Sequence, residues 1–125
     1  MNEENLKMYC ITSKESLNRM KGIRGKMMSQ SGHAFLHAFW DAQKRFPEQA
    51  HTYQHSMMAT KITLVVDTDE KLLAIFDKYK EKMGATCVID AGLTVTKGPT
   101  LTCIGLGPVY PSFFDEDVSS LKTLT

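Results

Sequence analysis

The chain has 125 residues, 42% of them hydrophobic and 23% charged, with a formal net charge of +1. That length suits one domain with a real core, and that balance gives no ground for a nucleic-acid binder held by overall basicity. No apolar run approaches the roughly 20 residues a bilayer span needs, which argues against a membrane role.

The first element in chain order is a β-favouring segment, LKMYCIT (6–12). SKESLNRMKGIRG (13–25) reads as a polar connection with two glycines, and from Thr12 to Met27 Lys14, Arg19, Lys21, Arg24 and Lys26 face only Glu15. A helix is expected from about Gly25 to Arg45, with Ser29, Ser31, Gly32, Ala34 and Ala38 as small surfaces for packing on a sheet. Pro47 interrupts it, and a second helical piece is expected over 48–59. KITLVVD (61–67) is a continuous apolar run of the buried-strand kind.

Thr68 is placed to cap a helix carrying Leu72, Leu73, Ile75, Phe76 and Tyr79 at helical spacing up to Gly84, with Glu70 adding favourable charge to its first turn. TCVID (86–90) and TLTCIGLGP (100–108) read as strands joined by a loop, the second ending at Gly107-Pro108, and DEDVSS as a short turn. The order β-α-(α)-β-α-β-β implies an α/β sandwich whose early strands run parallel through right-handed crossovers. The last strand follows too short a loop for a crossover and is expected to be antiparallel. One domain spanning 1–125 is expected. Cys10, Cys87 and Cys103 sit in apolar segments and read as buried free thiols of a reducing compartment. With no signal-peptide core in MNEENLKMYC, a cytoplasmic protein is expected.

Within the long helix, Lys26, Gln30, His33 and His37 recur at offsets of four, three and four, which puts them in one narrow sector. No carboxylate lies in that stripe, unlike an ordinary solvated face. The topology brings its start, after the first strand, toward Asp90-Ala91-Gly92, after the third. Ligands gather at such carboxyl ends. Asp90 is either a turn residue or a carboxylate that orients water. Lys26 is either a surface lysine or a group that stabilises an oxyanion or holds phosphate. Thr94, Thr96, Thr100 and Thr102 are ordinary strand residues of which one or two could position water. His33/His37 and His51/His55 have zinc-compatible spacing, but the third ligand and the Glu of HExxH are missing. No metal or cofactor is expected.

Together these segments resemble the peptidyl-tRNA hydrolase 2 family, the archaeal and eukaryotic type. RGKMMSQSGHA (24–34) is similar to the family's K-G-K-x-x-x-Q-x-x-H-A helix start. DAGLT with TLTCIGLGP (90–94 and 100–108) is similar to its D-A-G-x-T … T-x-x-G-x-G-P signature. KITLVVDTDEKLLAIFDKYKE (61–81) and VSSLKTL add weaker likeness, in the correct order. Arg24, Arg19 and KGP (97–99) depart from the pattern. The resemblance implies a three-layer α/β fold with a mixed four-stranded sheet flanked by helices, and a homodimer. It implies metal-free hydrolysis of the ester joining peptide to tRNA. Lys26 and Asp90 then become the catalytic candidates, with Gln30, His33, Thr94 and Thr102 lining the site. Lys21 and Arg24 would meet tRNA phosphates. The rival reading is a tRNA- or peptide-binding module that keeps the fold without the chemistry.

Overall fold

In the computed structural model of the protein, residues 4–91 and 99–125 are described. They form one mixed sheet of five strands in the order β3-β4-β1-β2-β5, one more strand than expected. β1 (Lys7–Ser13) runs parallel to β2 (Lys61–Val66), as the crossover argument requires. β4 (Thr100–Val109) lies antiparallel to both β1 and β3 (Ala85–Asp90). The early strands therefore share a direction, but β4 inserts between β1 and β3. The additional strand is β5 (Lys122–Thr123), two residues paired antiparallel with β2, too short to show any alternation in the sequence.

The polar connection after β1 is a further correction. It contains a six-residue helix, α1 (Lys14–Arg19), nucleated where the Ser13 hydroxyl accepts the Ser16 N–H at 2.9 Å. Tertiary bonds hold so short a helix in place: the Ser16 hydroxyl donates to the Thr102 carbonyl, and Arg19 pairs with Asp69. α2 (Arg24–Arg45) is the long helix anticipated, and α3 (Pro47–Gln54) takes in Pro47 itself, one residue before the expected start at 48, and stops short of 59. Thr68 caps α4 (Asp69–Tyr79) as expected, accepting the Lys71 N–H at 3.2 Å, and that helix ends five residues before Gly84. β4 continues through the cis Gly107-Pro108 bond to Val109, and α5 (Glu116–Ser119) follows.

One face of the sheet packs Tyr9, Ile11, Ile104 and Leu106 against Leu72, Ile75 and Tyr79 of α4 and Val118 of α5. The other packs Met8, Cys10 and Cys103 against α2 and α3. Here α2 approaches unusually closely. Its buried ridge is Ala34, Ala38 and Ala42 at four-residue spacing; Ser29 and Gly32, expected at this contact, are exposed. A Cβ at Gly105 would collide with the Ala34 carbonyl, and one at Gly84 with the Ala38 carbonyl. Alanines on the helix and glycines below therefore set the height of α2 above the sheet.

Candidate active site

Lys26 stands in the first turn of α2 and Asp90 is the last residue of β3, so 64 positions of sequence separate two groups that the fold joins. The Lys26 ammonium lies 2.8 Å from the Asp90 carboxylate, with side chains 15% and 7% exposed. Withdrawing two charges from water costs about as much as their attraction returns, so such a pair contributes little net stability. Its value lies in holding opposite charges at fixed positions beside a cavity.

The cavity is a groove of about 590 Å³, with Lys26, Gln30, His33 and His37 on the helix side and residues 86–91 on the strand side. The Lys-Gln-His stripe is therefore the helix wall of the groove. His33 and His37 are exposed, their ring centroids 5.9 Å apart, and His37 meets Trp40 edge-on at 5.2 Å. Among the described residues no three His, Cys, Asp or Glu side chains converge as a metal site.

Beneath the groove, Thr102 organises the wall. Val88 is opposite Cys103 and Ile89 opposite Leu101, so Thr102 is the extra residue of a β-bulge. Its hydroxyl accepts from the Gln30 amide at 3.1 Å and donates to the Val88 carbonyl at 3.0 Å. Its own carbonyl accepts the hydroxyls of Thr12 and Ser16, each at 2.7 Å. Thr102 is 1% exposed, its hydroxyl engaged by Gln30 and the Val88 carbonyl. Nothing in a one-dimensional pattern marks the bulge that Thr12 and Ser16 support.

Lys21 and Arg24 fall outside the groove. Lys21 is exposed in the turn between α1 and α2, with φ of 55°, beside Gly22 at 68°. Arg24 borders a separate cavity of about 310 Å³ on the opposite flank of α2, walled by Met20, Met27, Cys10 and Cys103. Thr94 lies outside the described residues. Arg19 is committed to structure, donating to the Asp69 carboxylate and the Leu101 carbonyl. That guanidinium holds the Asp69 carboxyl below its usual range against the opposing effect of burial, and the Ser13 hydroxyl assists.

All three cysteines are free thiols, but only Cys10 and Cys103 are buried; Cys87 is half-buried and lines the groove. The neighbouring Cys103 pushes the Cys10 thiol well up, with burial adding to it, while Cys10 draws the Cys103 thiol down. Burial raises the Cys87 thiol. A raised thiol is a poor nucleophile, since the thiolate is the reacting form.

No helix among the described residues is long and apolar enough to cross a membrane. The family model described as Peptidyl-tRNA hydrolase PTH2 matches residues 6–124. The chain is 32% identical over 103 residues to the peptidyl-tRNA hydrolase of Methanocaldococcus jannaschii, across 81% of this chain and 88% of that protein. It is 32% identical over 108 residues to the Methanococcus vannielii peptidyl-tRNA hydrolase, across 86% and 92% of the two. A Drosophila melanogaster protein named probable peptidyl-tRNA hydrolase 2 is 29% identical over 122 residues, covering 97% of this chain and 63% of that protein. With the family model covering nearly the whole chain and relatives above 30% identity, the protein belongs to the peptidyl-tRNA hydrolase PTH2 family.

Proposed function

We propose that the chain hydrolyses the ester of peptidyl-tRNA in the groove between α2 and β3, with Asp90 and Lys26 as the reacting pair. The reaction, release of peptide from tRNA, follows from the family. The observation that supports this placement is the nearly buried Lys26–Asp90 contact at 2.8 Å on the groove wall.

The Asp90 carboxylate receives a hydrogen bond from attacking water and takes its proton as the water oxygen bonds the ester carbonyl. The negative charge that develops on the carbonyl oxygen is met by the Lys26 ammonium. Collapse of the tetrahedral species expels the tRNA 3′ ribose oxygen, which takes the proton held by Asp90, and the peptide acid so formed gives its remaining proton to solvent and departs as the carboxylate. A carboxylate beside a cation is a weak base, so the rate rests on orientation and charge placement acting on an activated ester. Gln30 stands on the wall beside Lys26, fixed from below by Thr102, where its amide can order the water or the ester.

The same reading gives Lys21 and Arg24 to tRNA phosphates. The first turn of α2 holds no acid, and Ile23 provides no side-chain cap. Uncapped amides with Arg24 and Lys26 at a helix start favour an anion. A homodimer belongs to the proposal, supported by Leu36 and Trp40 exposed four residues apart on α2. So does the cytoplasm, where peptidyl-tRNA arises.

The test is release of peptide from N-acetylated aminoacyl-tRNA by the wild type, Lys26→Ala and Asp90→Asn. Wild-type turnover that both variants lose supports the assignment. Turnover unchanged in Asp90→Asn removes the carboxylate from the mechanism, and tRNA binding without turnover in the wild type favours the binding module.

A further inference from the structure

We propose that the outer edge of β3 is the peptide-binding strand of this site. The peptide preceding the scissile ester adds to the sheet there as a short parallel strand. This rests on the reading of the Lys26–Asp90 groove as the ester site.

Among the described residues, β3 is an edge strand whose one sheet neighbour is β4. The Gly107 N–H donates to the Gly84 carbonyl, which sets the alternation along this antiparallel pair. Residues 84, 86 and 88 turn their backbone groups toward β4, while Ala85, Cys87 and Ile89 turn theirs outward. Two side-chain bonds agree. The Ala85 N–H, pointing out, is taken by the Asp41 carboxylate at 2.9 Å, and the Val88 carbonyl, pointing in, is taken by Thr102. Among the described residues the outer edge is thus plugged at Ala85 and open at Cys87 and Ile89, along the strand wall of the groove.

Proteins blunt exposed edges with short strands, lysines, prolines or bulges, since an open row of N–H and C=O groups recruits other strands. The opposite edge of this sheet follows that rule, as β5 is two residues long and carries Lys122. β3 has six residues, ATCVID, with neither lysine nor proline, and its Ile89 is 54% exposed. The bulge that distorts the β3–β4 ladder lies on the β4 side and leaves the outer alternation regular. An edge open at Cys87 and Ile89 among the described residues, close to the Lys26–Asp90 pair, suits a substrate that binds as a strand.

Direction and length follow. The reacting carbonyl is the C-terminal end of the peptide and must lie at Asp90, the C-terminal end of β3, so the peptide runs parallel to β3. From Asp90 back to Cys87 is three residues, about 10 Å at the rise of a strand. The edge therefore engages about three residues upstream of the ester through the N–H and C=O groups of Cys87 and Ile89. Peptides on tRNA share a backbone and little else, and strand addition takes its affinity from the backbone.

The test compares N-acetylated one-, two-, three- and four-residue peptidyl-tRNAs of simple sequence. The expected kcat/KM rises about five- to tenfold for each residue that gains a backbone bond, and levels off after the third. N-methylation of the peptide nitrogen facing the Cys87 carbonyl should cancel one step, while exchanging that residue's side chain should not. Cys87→Pro, a change an edge strand tolerates, removes one outward N–H and should likewise cancel one step. The Kd series measured on Asp90→Asn should show the same steps without turnover. Brisk hydrolysis with no dependence on length or N-methylation overturns the edge and leaves the hydrolase standing. Length-dependent binding without wild-type turnover overturns the hydrolase reading and keeps the edge.

Discussion

Replacing Lys26 by Met removes the ammonium 2.8 Å from the Asp90 carboxylate while keeping most of the side-chain volume. Breaking a fully buried ion pair by removing one partner costs about 3–5 kcal/mol. The Lys26 side chain is 15% exposed, so water softens the loss, and about 2–3 kcal/mol is expected. Asp90→Asn should cost less, because an amide next to an ammonium is tolerated better than a carboxylate that has lost it. In the double variant Lys26→Met/Asp90→Asn no charge remains at the contact, and stability should return to within about 1 kcal/mol of wild type. Catalysis should not follow. Each single variant is expected to lose about 10²–10³ in kcat, and the double no more than about tenfold beyond the worse single. Urea unfolding at neutral pH reads the first quantity and release of peptide from N-acetylaminoacyl-tRNA the second. A double variant that regains both would make the pair structural, and one whose stability losses simply add would deny that the two groups interact.

Three further expectations concern the frame around the site. Gly105→Ala drives a Cβ into the Ala34 carbonyl and should lower stability by about 3 kcal/mol, read as a Tm drop of roughly 10 °C by calorimetry. Gly32→Ala, with open space around it on the same helix, should instead gain about 0.5–1 kcal/mol; equal effects would remove the close-approach argument. Thr102→Val deletes the hydroxyl that holds Gln30 and should lower kcat with little change in KM, whereas Thr102→Ser restores it; a KM effect alone would argue against a positioning role. Asp69 has a folded pKa below its unfolded value, so its contribution is present above about pH 4 and is lost as acid protonates it. Asp69→Asn should therefore be less stable than wild type at pH 7, with the gap closing toward pH 3. A gap independent of pH would mean that Arg19 does not set that carboxyl.

What the sequence made legible follows from the physics of each element. α2, β2 and α4 carry long apolar patterns and, at Thr68, a cap whose side chain behaves as caps do. α1 leaves no periodic trace in six residues, and its Ser13 cap sits in a segment whose lysines and glycines read as loop. β5 exists only through its partner β2. The Lys26–Asp90 contact joins two segments that topology alone brought to one end of the sheet, and the motif likeness pointed to both. The bulge at Thr102 is a fact of register between two strands, and so the hydroxyls of Thr12 and Ser16 could be recognised only in three dimensions.

The interlock of Ala34, Ala38 and Ala42 with Gly84 and Gly105 has a consequence for how the chemistry is kept in tune. A helix lying on a featureless sheet could settle at any of many stops about 1.5 Å apart, each rotating it by about 100°. Matched bumps and hollows leave one stop, the one at which Lys26, two turns from Ala34, arrives at Asp90. Selection on an ester that these small residues never touch thus reaches them through an axial coordinate. A variant that shifts it by a single notch would part Lys26 from Asp90 although both residues are still in the sequence.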